Sequence, residues 1–295
     1  MTTGHFNNSL NLGQNDLSKR QNKGVNRYCM QINLKEKVAL VTGSSRGIGK
    51  AIAYSLAKAE AIVIIAARGK EELENTAKEF REEGFKIYPL VADLNKKNDI
   101  KKLVLQITDQ FSAIDILVNN VGGVHDFVRF EDINDEEWQT MFESNFFSNV
   151  KVTREVLPYM QKKKWGRIIN ISSESAVQPD AVIPHYNAAK AAINSFTKTL
   201  SKAYAKDGIL INAVSPAFIM TPQIKSIIEE KSKKQNISPK EFMDAFIKEF
   251  RPGIQSARPG KPEEVAALVT FLASDHASFI TGANMRVDGG SVSTI

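Results

Sequence analysis

From residue 36 onward, short runs of β-branched apolar residues alternate with longer stretches in which apolar residues recur every three to four positions. The short runs predict strands and the longer stretches predict amphipathic helices. Such alternation is typical of a parallel sheet covered by helices. We predict strands at Lys37–Thr42, Ala61–Ala67, Lys86–Ala92, Ile114–Asn119, Gly166–Ser172, Ile209–Val214 and Asn284–Val287.

The predicted fold class is α/β: a doubly wound parallel sheet (Rossmann fold) in a single three-layer α/β/α domain over residues 31–295. In such a sheet the ligand crevice lies at the carboxyl ends of the strands. Residues 1–30 are polar and lack an apolar pattern, so we expect a disordered N-terminal arm. The sequence leaves open whether Met1 or Met30 is the natural start.

The composition, with 42% hydrophobic residues, is that of a globular protein. A net charge of +6 raises the alternative of nucleic-acid binding, but residues 1–29 alone carry four basic side chains against one acidic. The remaining chain is nearly balanced, which disfavours that alternative. No apolar run approaches the roughly 20 residues of a membrane span, so we expect a cytoplasmic protein without membrane partners. One cysteine and four scattered histidines predict neither an internal disulfide nor a metal site.

A glycine-rich turn follows the first predicted strand and opens a helix. It runs from Thr42 to Gly49 as TGSSRGIG. Glycines allow close backbone approach to a pyrophosphate, and the N–H groups of the new helix attract its charge. The G-x-x-x-G-x-G spacing differs from the common G-x-G-x-x-G, but its place between strand and helix favours a phosphate site over a plain turn. The predicted contacts are Gly43, Ser45, Arg46, Gly47, Ile48 and Gly49.

The end of the second strand distinguishes between the two nicotinamide dinucleotides. An NAD site usually has a carboxylate there for the ribose 2′-hydroxyl, whereas this chain reads Ala66-Ala67-Arg68. A guanidinium suits a 2′-phosphate, and Arg46 lies in the adjacent turn. Arg68 and Arg46 together predict NADP(H) as cofactor.

Three of the six tyrosines are followed four positions later by a lysine, so that the two side chains share one face of a helix. Only the third pair follows a strand end that carries serines, at the edge where the crevice is expected. We therefore predict that this pair is catalytic and that the other two are structural. The pairs are Tyr54 with Lys58, Tyr159 with Lys163, and Tyr186 with Lys190.

A tyrosine that exchanges protons near neutral pH needs its pKa lowered from about 10 by about three units, which requires roughly 4 kcal/mol. A cation about 4 Å away supplies about that much at an effective dielectric constant near 20. We therefore expect Lys190 to lower the pKa of Tyr186, which would act as the proton donor.

With these residues, the sequence resembles the short-chain dehydrogenase/reductase family over nearly all of residues 34–295. Asn119-Asn120-Val121-Gly122 is similar to the family's Asn-Asn-Ala-Gly segment. The resemblance implies that Ser173, thirteen residues before Tyr186, and Asn145 complete a catalytic set with Tyr186 and Lys190. It also implies cofactor contacts from Asp93, Leu94, Asn120, Tyr186, Lys190, Ile219 and Thr221.

Three positions depart from the family pattern: Val121, Ala176 and Ala217. None of them removes a chemical group. Among family members, 3-oxoacyl-[acyl-carrier-protein] reductases are the nearest resemblance, which implies reduction of a 3-oxoacyl thioester or another hydrophobic ketone. A cofactor-binding regulator without chemistry is the alternative, and the complete catalytic set argues against it.

The stretch from about 221 to 251 carries apolar residues at helical spacing, including Phe242, Phe246 and Phe250. It is either a helix packed on its own core or a mobile lid over a hydrophobic substrate. Helices predicted at Asn134–Gln161 and Pro184–Tyr204 resemble those at the family's subunit interfaces, which implies a homotetramer, with a dimer as the alternative.

Overall fold

The computed structural model describes residues 30–124 and 127–294, and a compact unit begins at Ile32. Within these residues seven strands form one parallel sheet in the order β3-β2-β1-β4-β5-β6-β7. The predicted doubly wound α/β fold is confirmed. The predicted arm at residues 1–29 lies outside the described residues. The strands are β1 Val38–Thr42, β2 Ile62–Ala67, β3 Ile87–Val91, β4 Ile116–Asn119, β5 Gly166–Ile171, β6 Ile209–Pro216 and β7 Asn284–Val287.

Helices connect the strands and cover both faces of the sheet. The order of strands reverses between β1 and β4, and a doubly wound fold opens its ligand crevice at such a point. The helices are α1 Gly47–Lys58, α2 Lys70–Glu82, α3 Lys97–Phe111, α4 Asp135–Phe142, α5 Ser148–Lys163, α6 Pro184–Tyr204, α7 Pro222–Gln235, α8 Pro239–Phe250 and α9 Pro262–Ala273.

Alternate residues of the strands pack into two different hydrophobic cores, one on each face of the sheet. In β1, Ala39 and Val41 face the core under α1, α2 and α9, whereas Val38 and Leu40 face the core under α3 and α5. All five residues of β1 are buried. Strands buried on both faces read as continuous apolar runs, which is why these segments could be located from the sequence.

A third, smaller core lies under the segment between β6 and α9. Ile228 of α7 and Met243 and Ile247 of α8 are buried together with Ile254. The predicted helical spacing at 242–250 is confirmed as α8, which begins with a capping box of Ser238 and Glu241. The segment thus packs on a core of its own, and a role as a lid stays a prediction.

The predicted helix Asn134–Gln161 is interrupted. A π-helical turn at Glu143–Phe147 separates α4 from α5, and α5 continues to Lys163. Asn145 lies in this turn, where its amide donates to the Met141 carbonyl at 3.2 Å. Such turns insert one extra residue into a helix and are frequent at functional sites. Apolar periodicity alone does not predict them, because the pattern continues on either side.

Candidate active site

The predicted site residues collect along one edge of the sheet because all seven strands run in the same direction. The glycine turn follows β1, Arg68 follows β2, Asp93 follows β3 and Asn120 follows β4. The next two strands lead into the remaining groups: Ser173 follows β5, and Ile219 and Thr221 follow β6. Tyr186 and Lys190 lie in the first two turns of α6, which follows β5.

The glycine turn has a backbone that favours glycine at three positions. Gly43 and Gly47 have positive φ of 62° and 59°. A Cβ at Gly49 would lie 2.3 Å from the Gly43 carbonyl oxygen, so this helix start must stay bare. No described side chain caps the N-terminus of α1. A bare turn with free helix N–H groups fits the pyrophosphate of a dinucleotide.

Two neighbouring side chains border the turn. The Asn120 amide donates to the carbonyls of Thr42 and Gly43 at 2.9 and 3.0 Å, so β4 supports the turn after β1. On the other side, Thr221 comes within 3.5 Å of the position that a Cβ on Gly47 would take. The Thr221 hydroxyl also accepts the N–H of Ile224 and begins α7. The predicted contacts Asn120 and Thr221 thus border the turn directly.

The two predicted phosphate-binding arginines are exposed. Arg46 lies 3.8 Å from the carboxylate of Glu72, and 62% of its side chain is accessible. Arg68 is exposed directly after β2, and among the described residues it makes no ion pair. Glu72 also accepts a hydrogen bond from Ser45 at 2.7 Å. Glu72 is not among the residues predicted from the sequence, where its only signal is its place in the first turn of α2.

The remaining predicted cofactor contacts lie farther along the edge. Asp93 accepts the backbone N–H of Asn95 and pairs with Lys96 at 3.8 Å, and Leu94 beside it is buried. Ile219 is buried where it pairs with Gly260 in an isolated bridge.

Asn145 and Lys190 meet at Gly122. A Cβ built on Gly122 would lie 2.4 Å from the Asn145 amide oxygen and 3.2 Å from the Lys190 ammonium nitrogen. That oxygen accepts the N–H of Gly123 at 2.9 Å. Gly122 therefore leaves room for two predicted catalytic side chains, one from the π-helical turn and one from α6.

Of the three serines in this segment, Ser173 is the one beside Tyr186, with its hydroxyl placed to lower the pKa of the phenol. Ser172 instead donates to the Lys190 carbonyl at 3.1 Å. Ser175 donates to the Ser173 hydroxyl at 2.9 Å and orients it. The choice of Ser173 over Ser172 and Ser175 agrees with this geometry.

The expected lowering of the Tyr186 pKa is not found. Burial raises the pKa of Tyr186 to about 12. The hydrogen bond with Ser173 lowers this pKa, whereas the carboxylate of Glu174 raises it further. Burial also lowers the pKa of Lys190 to about 8. The ammonium lies 5.6 Å from the centre of the Tyr186 ring and donates to the Ile171 carbonyl at 3.0 Å. Desolvation thus outweighs attraction between the two groups.

A charged cluster beside Ser173 was also missed. Burial raises the pKa of Glu174, and one of its carboxylate oxygens is buried without a hydrogen bond from any described group. Arg251 at the end of α8 pairs with Asp180 at 2.7 Å, so the third core is tied to the loop after β5. The Asp180 carbonyl in turn accepts from Asn187, the neighbour of Tyr186. An acidic residue directly after Ser173 was the available signal in the sequence.

The chain matches the family model described as short chain dehydrogenase over residues 37–232, which is more than half of its length. The chain belongs to the short chain dehydrogenase family. The resemblance stated from the sequence is thereby confirmed, and the chain is an oxidoreductase by family.

Relatives of this short chain dehydrogenase cover nearly the whole domain. It is 37% identical over 268 residues to the uncharacterized oxidoreductase YvaG of Bacillus subtilis, with 90% of this chain and all of that protein covered. It is 35% identical to the 3-oxoacyl-[acyl-carrier-protein] reductase FabG of Thermotoga maritima, with 88% of this chain and all of that one covered. A crystal structure of L-sorbose reductase from Gluconobacter frateurii, complexed with NADPH and L-sorbose, superposes with a TM-score of 0.85. It is 33% identical and covers 90% of this chain and 100% of its own.

Two further features to consider are metal sites and membrane-spanning helices. In residues 30–124 and 127–294, no three histidine, cysteine or acidic side chains group as a metal site would require. Over the same residues, every helix is too short or too polar to cross a bilayer.

Proposed function

We propose that this short chain dehydrogenase is an NADPH-dependent reductase of carbonyl compounds. The observation that carries the proposal is the convergence of Asn145 and Lys190 at Gly122, with Tyr186 and Ser173 beside them, at the edge that carries the bare glycine turn. When bound, the cofactor would supply a hydride to the carbonyl carbon. The structural relative complexed with NADPH supports the choice of cofactor.

The side chains then have separate tasks. The Tyr186 hydroxyl gives its proton to the substrate oxygen, which becomes the hydroxyl of the product alcohol. The Ser173 hydroxyl, oriented by Ser175, donates a hydrogen bond to the same oxygen and stabilises the charge that develops there. Lys190 and Asn145 provide polar groups close to Tyr186, which regains its proton from solvent after each turnover. Because burial raises the pKa of Tyr186 to about 12, the phenol holds its proton at neutral pH.

We further propose a 3-oxoacyl thioester or another hydrophobic ketone as substrate. FabG of Thermotoga maritima supports this class, and the adjacent aromatic rings of Phe218, Phe246 and Phe250 offer an apolar surface. Phe250 is 58% exposed at the end of α8 and is available for contact. A cytoplasmic location, a homotetramer and the lid movement of residues 221–251 stay predictions.

The test is a fluorescence titration with NADPH and NADH, followed by NADPH oxidation with acetoacetyl thioesters, diketones and aromatic ketones. We expect tighter binding of NADPH and turnover of at least one ketone class. Arg68→Ala should weaken NADPH by about tenfold or more and leave NADH nearly unchanged, because only the phosphate loses a charged partner. Equal losses for both nucleotides would contradict the phosphate assignment, and the absence of binding would contradict the proposed function.

A further inference from the structure

The carboxylate of Glu72 lies where the proposed NADPH site requires positive charge. Glu72 belongs to the first turn of α2, and its two oxygens have different partners in the glycine turn. One oxygen accepts the Ser45 hydroxyl at 2.7 Å, and the other lies 3.8 Å from the Arg46 guanidinium. Both partners are predicted cofactor contacts. Glu72 therefore acts on the cofactor turn through a hydrogen bond and through its charge.

The hydrogen bond is part of a firm connection between α2 and the turn. Ser45 is buried, and its carbonyl accepts the hydroxyl of Thr76, which lies one helical turn beyond Glu72. The Thr76–Ser45 distance is 2.8 Å, and Thr76 is itself buried. The hydroxyl and the carbonyl of Ser45 are thus both held by α2. The carboxylate cannot swing far from the turn without breaking the Ser45 bond.

The charge of Glu72 has the opposite sign to the one that a phosphate needs. Arg46 has Glu72 as its only carboxylate neighbour among the described residues, so its charge is partly offset. A dianionic 2′-phosphate at this turn would meet Arg46 and Arg68 together with a fixed carboxylate. The attraction from the guanidinium groups is reduced by repulsion from that carboxylate. NADH carries the same pyrophosphate but no 2′-phosphate, so it does not experience this additional repulsion.

We propose that Glu72 is a specificity-determining residue that weakens NADPH binding and narrows the preference for NADPH over NADH. This inference rests on the proposed function, because it assumes a nicotinamide dinucleotide at the glycine turn. Glu72 holds Ser45 in place, which serves both nucleotides, and it also opposes the 2′-phosphate, which concerns NADPH alone. The two effects are separable because glutamine keeps the acceptor oxygen and removes the charge.

The experiment measures dissociation constants for NADPH and NADH by fluorescence titration of the full chain. Glu72→Gln should tighten NADPH about fivefold to tenfold and leave NADH unchanged, and this gain should shrink at high salt, which screens exposed charges. Glu71→Gln is the matched control, since it removes the same charge one position away, where no contact with the turn is present, and it should change neither constant. Ser45→Ala removes the hydrogen bond and should weaken both nucleotides equally.

Three results would overturn the inference: unchanged NADPH affinity in Glu72→Gln, weakened NADPH affinity in Glu72→Gln, or an equal gain in Glu71→Gln. The second of these would mean that the carboxylate positions Arg46 for the phosphate rather than opposing it. In each case the wild-type chain would still bind NADPH, and the proposed function would stand. Failure of the wild-type chain to bind either nucleotide would instead remove the proposed function together with this inference.

Discussion

The same four-residue spacing of tyrosine and lysine occurs in two very different regions of the molecule. Tyr54 and Lys58 lie on the outer surface of α1, where the Tyr54 hydroxyl donates to Glu83 at 2.8 Å and Lys58 is exposed. Tyr186 and Lys190 lie at the carboxyl edge of the sheet, where Lys190 is buried. The spacing is the same in both pairs. Only at the sheet edge does burial shift the pKa values far, to about 12 for Tyr186 and about 8 for Lys190.

The comparison shows that the spacing aligns the side chains and that their position in the fold determines the chemistry. The remaining pair, Tyr159 and Lys163, supports this view. Lys163 forms an ion pair with the buried Asp115 and is not available to Tyr159. A helix delivers two side chains to one face wherever it occurs. Only at the strand ends does that face meet Ser173, Gly122 and the glycine turn.

The largest expected effect is on turnover, and it should distinguish Tyr186 from Tyr54. Tyr186→Phe removes the transferable proton and should lower kcat by about a thousandfold, while NADPH still binds. Tyr54→Phe is the matched control and should retain full turnover. Steady-state NADPH oxidation with the best ketone of the panel measures both. Substantial turnover in Tyr186→Phe would show that another group donates the proton.

A second variant disturbs the geometry of the catalytic region and leaves its chemical groups in place. Gly122→Ala places a methyl group against Asn145 and Lys190 at a φ of 139°, which side chains rarely adopt. Displacement of these groups should lower kcat by about a hundredfold. Gly123→Ala is the matched control, because nothing lies within 4 Å of its added Cβ. Equal losses in the two variants would mean that the loop as a whole, rather than the close approach at Gly122, is what matters.

The smallest effect concerns stability. The pKa of Lys190 is lowered from 10.5 to about 8, so between these pH values the unfolded chain binds more protons than the folded chain. The free energy of unfolding should therefore rise as the pH increases from about 8 towards 10. Lys190→Met should lose activity but increase the free energy of unfolding at pH 7 by about 2 kcal/mol. This figure is the burial penalty of the ammonium, which the substitution removes, minus the contribution of the lost hydrogen bond to Ile171.

Urea unfolding at pH 7 and pH 9.5 checks this prediction, and the advantage of the methionine variant should shrink at the higher pH. Lys58→Met is the matched control, since an exposed lysine carries no burial penalty and should give no pH-dependent difference. A methionine variant that is less stable than wild type at both pH values would contradict the expected penalty at Lys190.

The sequence allowed the fold and the edge of the sheet that carries the site to be predicted, because continuous apolar strands and a parallel topology leave few alternatives. It could not predict that burial would raise the pKa of Tyr186, because the sequence shows the charge of Lys190 but not the loss of water around both groups. Glu72 and Glu174 were missed for a related reason. Their effects depend on contacts with Ser45 and Tyr186 that arise only after α2 and the loop after β5 have packed.

The third core has a consequence for how this enzyme can diversify. Ile228, Met243, Ile247 and Ile254 are buried against one another and share no member with the two cores of the sheet. Substitutions within α7 and α8 therefore should change the stability of this segment with little effect on the sheet that supports the predicted catalytic groups. With the proposed substrate surface on this segment, we expect such substitutions to change substrate preference more readily than the reaction itself.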